Sequence, residues 1–246
     1  MTRQLYLEDQ TLQTFDAVVT AVDTEAGRVL LDQTAFYATG GGQPNDIGTI
    51  TSGETTWEVT DVRKTGTDIW HTLAVAGSEG TDRSLCEVGA AICGVVDWDR
   101  RFKLMRTHSA MHVLGGVIWN EYRAWATGNN MEPLKARIDY EFDPLPDGFA
   151  ERVQELVNAE IAADRPILVE FLPRDAAVED DDLIRTKVNL IPESVSEIRV
   201  VDIVGLDRQA DGGTHVPSTG AIGTFTITKT ESKGKGNKRI RFELGD

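Results

Sequence analysis

Cysteine is scarce in this sequence, with Cys86 and Cys93 as its two examples among 246 residues. A framework of several disulfides is therefore excluded, and such sparse cysteine usage favours a cytoplasmic protein. Long apolar runs are also absent, since no stretch approaches the roughly 20 residues that a membrane-spanning helix needs. The opening residues, MTRQLYLEDQ, lack the apolar segment of a signal peptide.

Positive charge is in short supply as well, because 25 basic residues face 40 acidic ones and leave a net charge of −15. Phosphates repel such a chain, so nucleic-acid contacts are expected only at local basic clusters. The two clusters comprise six bases between residues 229 and 241, and Arg100, Arg101, Lys103 and Arg106. Solvated surface is the usual role of such clusters. Acidic runs such as residues 179–182 suggest adaptation to high salt, which screens long-range repulsion.

Two kinds of segment follow one another along the chain. β-branched and aromatic residues predict short strands at residues 15–23, 28–32, 57–63, 68–75 and 91–98, a pattern typical of a small barrel. Asp99 is expected to cap a helix that reaches Tyr122, and an amphipathic pattern predicts another over residues 148–163. Further strands are expected at residues 134–142, 167–172, 196–203, 222–229 and 238–244. The predicted class is α+β, with a domain boundary near residues 95–99.

Three of the four histidines fall into two motifs with the same four-residue spacing. His108 and His112 lie in the first predicted helix, where this spacing places both rings on one face. Asp211 and His215 flank two glycines that favour a loop. Two side chains from each motif can form a tetrahedral zinc site. Histidines with ordinary hydrogen bonds are the alternative interpretation. No Glu follows the first histidine directly, so the motif is not that of the zinc metalloproteases.

A glycine-rich segment, Thr39-Gly40-Gly41-Gly42-Gln43-Pro44, follows an aromatic pair. Three consecutive glycines permit positive φ and the close approach of another backbone. The segment lacks the Gly-Lys-Ser/Thr signature of a phosphate-binding P-loop. It is interpreted either as a tight barrel turn or as a loop that reaches a site in the second domain and presents the Thr39 hydroxyl to a substrate.

Four motifs occur in a specific order along the chain: FYATGGGQP at residues 36–44, DWDRR through MRTHSAMH at 97–112, QADGGTHV at 209–216 and SKGKGNKRI at 232–240. In this order they resemble the motifs of the AlaX family of alanyl-tRNA editing proteins and of the editing domain of alanyl-tRNA synthetase. The resemblance spans nearly the whole chain. The chain looks like the medium-length form of that family.

The resemblance implies a trans-editing deacylase that hydrolyses the ester of mischarged tRNA(Ala), carrying serine or, in some members, glycine. It implies a small N-terminal β-barrel over residues 1–96. An α+β editing domain would follow over residues 97–246, with an antiparallel sheet packed by helices. The chain is expected to act as a cytoplasmic monomer with tRNA(Ala) as its partner.

The resemblance also implies one zinc ion per chain, held by His108, His112, Asp211 and His215. Many members of the family have cysteine where this chain has Asp211. A carboxylate suits harder ions such as Mn²⁺ as well, so another divalent metal is an alternative. Asp211 is expected either to bind the metal or to leave its place to water. Whether the metal activates water or orients the substrate stays open at this point.

Residues are carried over by the same resemblance to substrate and tRNA. The catalytic candidates are Thr39, which would sense the serine hydroxyl, and the amides around Gly212 and Thr214, which would hold the carbonyl oxygen. The substrate-binding candidates are Thr39, Gly40, Gly41, Gly42, Gln43 and Gln209. The candidates for tRNA phosphates are Arg100, Arg101, Lys233, Lys235, Lys238 and Arg239. Arg137 and Asp139 are interpreted first as a structural ion pair.

Two other functions are compatible with the same residues. The first is a non-catalytic tRNA-binding module whose metal site has decayed, as Asp211 would then indicate. The second is a metal-dependent hydrolase of small esters or amides that is unrelated to tRNA. The three functions can be distinguished by measuring the bound metal and by testing whether hydrolysis depends on tRNA.

Overall fold

The computed structural model describes residues 1–75, 85–142, 144–178, 183, 196–234 and 236–246. These residues form two compact units, Met1–Phe102 and Lys103–Asp246. Strands and helices both contribute, which confirms the predicted α+β class. None of the described helices has the length and apolar character needed to cross a bilayer. The acidic run at residues 179–182 lies outside the described residues.

The first unit is built mainly from short strands. Its elements are β1 (Arg3–Gln4), α1 (Leu5–Glu8), β2 (Thr14–Asp23), β3 (Arg28–Leu31), β4 (Gln33–Thr34), β5 (Gly48–Ser52), β6 (Thr55–Thr65), β7 (Asp68–Val75) and β8 (Ala91–Val96). Six of them close into a barrel in the order β2-β3-β7-β6-β5-β8. Every pair within this barrel is antiparallel.

The barrel interior follows from the alternation of side chains along each strand. On β2, Phe15, Ala17 and Val19 point inward while the residues between them are exposed. Gly94 on β8 lies opposite, and a Cβ at this position would overlap the Phe15 ring. Glycine is therefore required there, because the aromatic ring occupies the space of a side chain.

Asp97, not Asp99, caps the long helix α2 (Trp98–Tyr122), so the predicted cap is wrong by two residues. The Asp97 carboxylate accepts the Arg100 amide at 3.0 Å. Asp99 lies within the first turn, where its acidic side chain suits the helix dipole. The helix otherwise reaches Tyr122 as predicted.

The guanidinium of Arg101 is completely buried within the first unit. It forms several hydrogen bonds with the Asp46 carboxylate and donates to the carbonyls of Ala35 and Gln10. Asp46 also accepts the Tyr37 amide at 2.6 Å. The prediction that Arg101 contacts tRNA is therefore wrong, because its guanidinium is fully buried and hydrogen-bonded inside the protein. These bonds also explain why the unit extends past the predicted boundary at residues 96 and 97.

The second unit contains two antiparallel sheets and the remaining helices. Its elements after α2 are β9 (Ala126–Glu132), β10 (Lys135–Glu141), α3 (Phe149–Ala162), β11 (Ile167–Pro173), α4 (Arg174–Val178), β12 (Glu197–Ile203), β13 (Asp207–Ala210), a short 3₁₀ helix (Thr219–Ala221), β14 (Phe225–Ser232) and β15 (Asn237–Leu244). One sheet has the order β14-β15-β10-β9 and the other has the order β11-β12-β13.

Helix α3 shows how the second unit joins helix to sheet. Its buried residues recur every four positions along one face, as the amphipathic pattern predicts: Phe149, Val153, Val157 and Ile161. Its polar side chains reach the edge strand β14. Asn158 donates to the Phe225 carbonyl at 2.8 Å, and Gln154 accepts the Ile227 amide at 2.8 Å. The backbone groups at this sheet edge are thus satisfied by side chains.

Candidate metal centre

Four polar side chains converge inside the second unit, from helix α2 and from the loop after β13. They are the four residues predicted as metal ligands: His108, His112, Asp211 and His215. Each offers one ligand atom, and these atoms all lie within 4.8 Å of one another. The helix supplies two rings one turn apart, with centroids 5.1 Å from each other. The tertiary fold therefore brings together two motifs separated by about a hundred residues.

The Asp211 carboxylate faces the Nε2 atoms of all three histidines. Its Oδ1 lies 3.6 Å from Nε2 of His108 and 4.0 Å from Nε2 of His112. Its Oδ2 lies 3.0 Å from Nε2 of His215. The donor set is thus three imidazole nitrogens and one carboxylate oxygen.

Two hydrogen bonds hold Asp211, one at its backbone carbonyl from strand β12 and one at a carboxylate oxygen from its own loop. Arg199 on β12 donates to the Asp211 carbonyl at 2.9 Å. The amide of Gly213 donates to Asp211 Oδ2 at 2.6 Å. This local bond belongs to a tight turn that the Asp-Gly-Gly sequence favours. The Gly213 amide is therefore committed to the carboxylate, while Gly212 is exposed and Thr214 is fully buried.

Ser109, for which the sequence predicted no role, contacts His215 at Nδ1. Its hydroxyl lies 3.2 Å from Nδ1 of His215 and accepts the Val216 amide at 3.1 Å. The hydroxyl can accept Nδ1–H as well, since it has two lone pairs. With Nδ1–H donated to Ser109, Nε2 of a neutral His215 would carry no proton and would be available to a metal, in place of its 3.0 Å contact with Asp211. The only sequence signal was its place between the two helix histidines.

Burial determines the protonation of two of the histidines. It lowers the pKa of His108 well below the ordinary value, although the Asp211 carboxylate opposes this. It lowers the pKa of His215 to about 4, against the hydrogen bond with Asp211. Both imidazoles are therefore neutral at pH 7, with nitrogen lone pairs available to a metal.

His112 and Asp211 shift in the directions that favour their charged forms. Burial disfavours charge on His112, but the interactions with Asp207 and Asp211 outweigh it and raise its pKa. Burial also disfavours the Asp211 anion. The attraction of His108 and the bond with His215 nevertheless hold the pKa of that carboxyl well below its usual range. An anionic carboxylate thus lies among buried imidazoles, and this donor set fits zinc and other divalent first-row metals.

The glycine-rich segment forms a tight turn in the first unit. The backbones of Gly40 and Gln43 pair with each other at 3.1 and 2.9 Å, and Gly41 and Gly42 have φ of +57° and +91°. The Thr39 hydroxyl donates to Asn45 Oδ1 at 3.2 Å and accepts the Asn45 amide at 3.0 Å. Gln43, predicted to bind the substrate, is fully buried in this turn, and its contact with a substrate stays a prediction.

Gln209, another predicted substrate-binding residue, is occupied by a neighbour. Its side-chain amide donates to Asp207 Oδ2 at 2.6 Å. Asp207 and Gln209 both lie on β13, at four and two positions before Asp211, respectively. Gln209 is therefore placed close to the candidate centre, but in contact with a buried carboxylate.

The helix cluster of basic residues is mostly structural. Besides Arg101, Arg106 is buried, and its guanidinium donates to the carbonyls of Ile222 and Gly245. Arg100 is half-buried and donates to the Asn45 carbonyl at 3.3 Å. The usual solvated role therefore does not apply here, because these cations satisfy backbone carbonyls.

The β14–β15 hairpin carries the other candidates for tRNA phosphates. Lys233 is exposed, and Lys238 donates to Ser232 at 3.2 Å. Arg239 binds the Asp139 carboxylate through two hydrogen bonds of 2.6 and 2.7 Å. Arg137 lies 3.8 Å from the same carboxylate, in the predicted ion pair. Lys235 lies outside the described residues.

Comparison with known proteins relates both units to tRNA synthetases. Residues 7–100 match the family described as tRNA synthetases class II (A). Residues 198–241 match the family described as threonyl and alanyl tRNA synthetase second additional domain. The second match contains two of the four clustered side chains, Asp211 and His215.

Relatives of the same length share the whole chain. It is 37% identical to the alanyl-tRNA editing protein AlaX-M of Methanosarcina acetivorans, with 100% of both chains covered. It is 34% identical to the AlaX-M protein of Saccharolobus solfataricus, with 99% of both covered. It is also 36% identical to the alanine–tRNA ligase of Pyrococcus abyssi, where all of this chain matches 26% of the ligase. The chain belongs to the AlaX-M family of alanyl-tRNA editing proteins.

Proposed function

We propose that this protein hydrolyses the ester between a wrong amino acid and tRNA(Ala), with serine as the first substrate and glycine as the second. The cluster of three histidines and Asp211 carries this proposal, because it could hold a metal ion, and such an ion would promote ester hydrolysis. Membership of the alanyl-tRNA editing family supports the choice of tRNA(Ala). A cytoplasmic location and a monomeric state belong to the same proposal.

His108, His112, Asp211 and His215 would hold one metal ion, with zinc as the first candidate and a harder divalent ion as the alternative. Such an ion supplies positive charge that polarises an ester carbonyl or acidifies water. The protein prepares the site by keeping His108 and His215 neutral through burial and by keeping Asp211 anionic. Ser109 orients His215 through Nδ1.

The backbone amide of Gly212 is the candidate donor to the ester carbonyl oxygen. A side chain at this position would meet nothing within 4 Å, so the loop is open to a substrate here. Thr214, also predicted as catalytic, is fully buried. An amide that donates to the oxygen as charge develops would stabilise the transition state.

Thr39 is the candidate for distinguishing serine from alanine. Its hydroxyl makes two hydrogen bonds with Asn45, one as donor and one as acceptor. One lone pair of the hydroxyl is left to accept a hydrogen bond from the serine side chain. A site that binds a substrate hydroxyl rejects the analogue without it strongly. Gly40, Gly41 and Gly42 would let the substrate approach the same turn.

The β14–β15 hairpin is the surface proposed to contact tRNA phosphates, through Lys233, Lys235 and Lys238. Arg239 contributes less, since Asp139 neutralises it. Arg100 is kept as a weaker candidate because it is half-buried. With a net charge of −15, these contacts act over short range and benefit from screening salt.

The test is deacylation of Ser-tRNA(Ala) and Ala-tRNA(Ala) in high salt, with the metal content of the same sample measured. We expect selective release of serine by protein that contains metal, and loss of both activity and metal in His108→Ala. Hydrolysis of free aminoacyl esters without gain from tRNA would favour a small-ester hydrolase instead. Tight tRNA binding without metal or hydrolysis would favour the binding module.

A further inference from the structure

Asp207 is a buried carboxylate beside the candidate metal centre. Its exposed fraction is 5%, and its Oδ2 lies 3.8 Å from Nδ1 of His112. The opposite ring nitrogen of His112, Nε2, faces Asp211. Burying a carboxylate in this way is costly unless polar partners compensate it. Asp207 is therefore placed where it can act on His112 without belonging to the four ligand residues.

Gly116 on α2 makes room for this carboxylate. A Cβ at Gly116 would lie 2.9 Å from Cβ of Asp207 and 3.0 Å from Cγ of Leu206, closer than ordinary packing. Gly116 follows His112 by one helical turn. Strand β13 can therefore approach the helix directly, and the side chain of Asp207 reaches the ring that precedes the glycine.

The same approach brings Gln209 against the helix. A Cβ at Gly115 would lie 3.8 Å from the Gln209 amide nitrogen and 3.9 Å from the Tyr140 hydroxyl. The Gln209 amide donates to Asp207 Oδ2 at 2.6 Å. This bond restrains the oxygen that faces His112. Gln209, Asp207 and His112 thus form a chain of polar contacts that leads to the metal centre.

We propose that Asp207 is a positioning residue, which keeps the proton of neutral His112 on Nδ1 and directs Nε2 to the metal. Gln209 acts in the same arrangement by holding Asp207, in place of a direct contact with substrate. The inference rests on the proposed metal centre. Metal-binding histidines generally need such a partner at the second nitrogen, and its loss weakens metal binding by about 10- to 100-fold.

The experiment measures zinc dissociation constants by chelator competition, in the absence of tRNA, for the full chain and three variants. Asp207→Asn keeps the shape of the side chain and removes its charge. We expect it to weaken zinc binding by about 10-fold or more. Gln209→Ala is expected to weaken zinc binding in the same direction but by less. The matched control is Asp202→Asn on β12, whose cross-strand partner is Arg208, and its affinity should equal that of the original chain.

A spectroscopic readout separates positioning from a general loss of structure. ¹⁵N spectra of the metal-free chain at about pH 9, where histidines are neutral, report which nitrogen of His112 carries the proton. We expect Nδ1–H in the original chain and a mixture of both tautomers in Asp207→Asn. The signals of His71, in the other unit, should stay the same in both proteins.

Each outcome decides one question. Zinc affinity within twofold of the original chain and an unchanged His112 tautomer in Asp207→Asn would overturn the positioning role. A raised KM for Gln209→Ala at unchanged zinc affinity would indicate that Gln209 contacts the substrate, and it would overturn the role of Gln209 in holding Asp207. Failure of the original chain to hydrolyse mischarged tRNA would overturn the proposed function alone, because zinc affinity and the His112 tautomer are both measured without tRNA.

Discussion

Asp46 and Arg101 form an ion pair in which both side chains are buried, with 1% and 0% of their surfaces exposed. The pair ties the glycine-rich segment to the start of α2, since Asp46 lies two residues after the motif and also accepts the Tyr37 amide. Arg101, from a basic cluster that suggested phosphate contacts, thus helps to hold the first unit together.

Removing one partner of this pair should destabilise the protein strongly. Arg101→Ala leaves the Asp46 charge buried without its partner, and the free energy of unfolding should fall by about 3–5 kcal/mol. Urea denaturation measures this change. The control is Arg63→Ala, whose ion pair with Asp61 leaves 60% of the arginine side chain exposed and should cost about 1 kcal/mol or less. Equal losses in the two variants would contradict the structural role of Arg101.

His71 should make stability depend on pH. Burial lowers its pKa to about 4 in the folded barrel, against 6.5 as the ordinary value. The unfolded chain therefore binds more protons between these two values, and stability falls as the pH drops through this window. The difference of 2.5 pKa units corresponds to about 3 kcal/mol below pH 4.

The variant His71→Gln isolates this contribution. Urea denaturation at pH 7 and at about pH 4 should show a smaller loss of stability for the variant than for the original chain, by about 3 kcal/mol. The other three histidines contribute equally to both proteins and cancel. The same loss in both proteins would show that His71 does not titrate in this range.

Asp211→Cys should change which metal the centre prefers. A thiolate is a softer ligand than a carboxylate, so the preference for Zn²⁺ over Mn²⁺ should increase. Competition between the two ions, followed by measurement of the bound metal, gives the ratio. Asp211→Ala should weaken the binding of both ions. An unchanged ratio in Asp211→Cys would indicate that residue 211 does not bind the metal and leaves its place to water.

The lysines of the β14–β15 hairpin should determine how strongly salt weakens tRNA binding. If Lys233 and Lys238 contact phosphates, replacing both by Gln should lower the slope of log affinity against log salt by about 0.7–0.9 for each contact. Binding measured over a series of KCl concentrations gives this slope. Lys64→Gln, on the exposed surface of β6 in the first unit, serves as the control and should leave it unchanged. An unchanged slope in the double variant would place the tRNA surface elsewhere.

Thr39→Val should reduce selectivity before it reduces hydrolysis. The substitution removes the hydroxyl but keeps the branched shape, so the ratio of Ser-tRNA(Ala) to Ala-tRNA(Ala) cleavage should fall towards one. Thr39→Ser keeps the hydroxyl and should retain the ratio. Because Thr39 also binds Asn45, thermal unfolding of both variants verifies that the turn is intact. A ratio that stays the same in Thr39→Val would exclude this role.

Local patterns were sufficient for most of the longer elements and for two halves of the site, but they did not predict the strands β5, β9 and β13. The four-residue spacing of His108 and His112 defines one helix face, and the apolar spacing of α3 defines its buried side. The Asp-Gly-Gly sequence predicts a turn before His215. These predictions hold because each depends on backbone geometry within a few residues. The residue types raised the possibility that the two halves form one metal centre, and the family resemblance made it specific, since no local rule relates residue 108 to residue 211.

Only the folded structure revealed the roles of residues whose partners lie far away in the chain. The composition of the Arg100–Arg106 cluster is that of a solvated surface, but Arg101 and Arg106 are buried because carbonyls and Asp46 lie around them. The sequence predicted no role for Asp207 and a substrate contact for Gln209, whereas the fold places both beside the helix, where Gly116 allows β13 to approach. Spacing along the chain therefore specified the candidate ligands, whereas burial and long-range contacts decided which charges are structural and which polar groups support the centre.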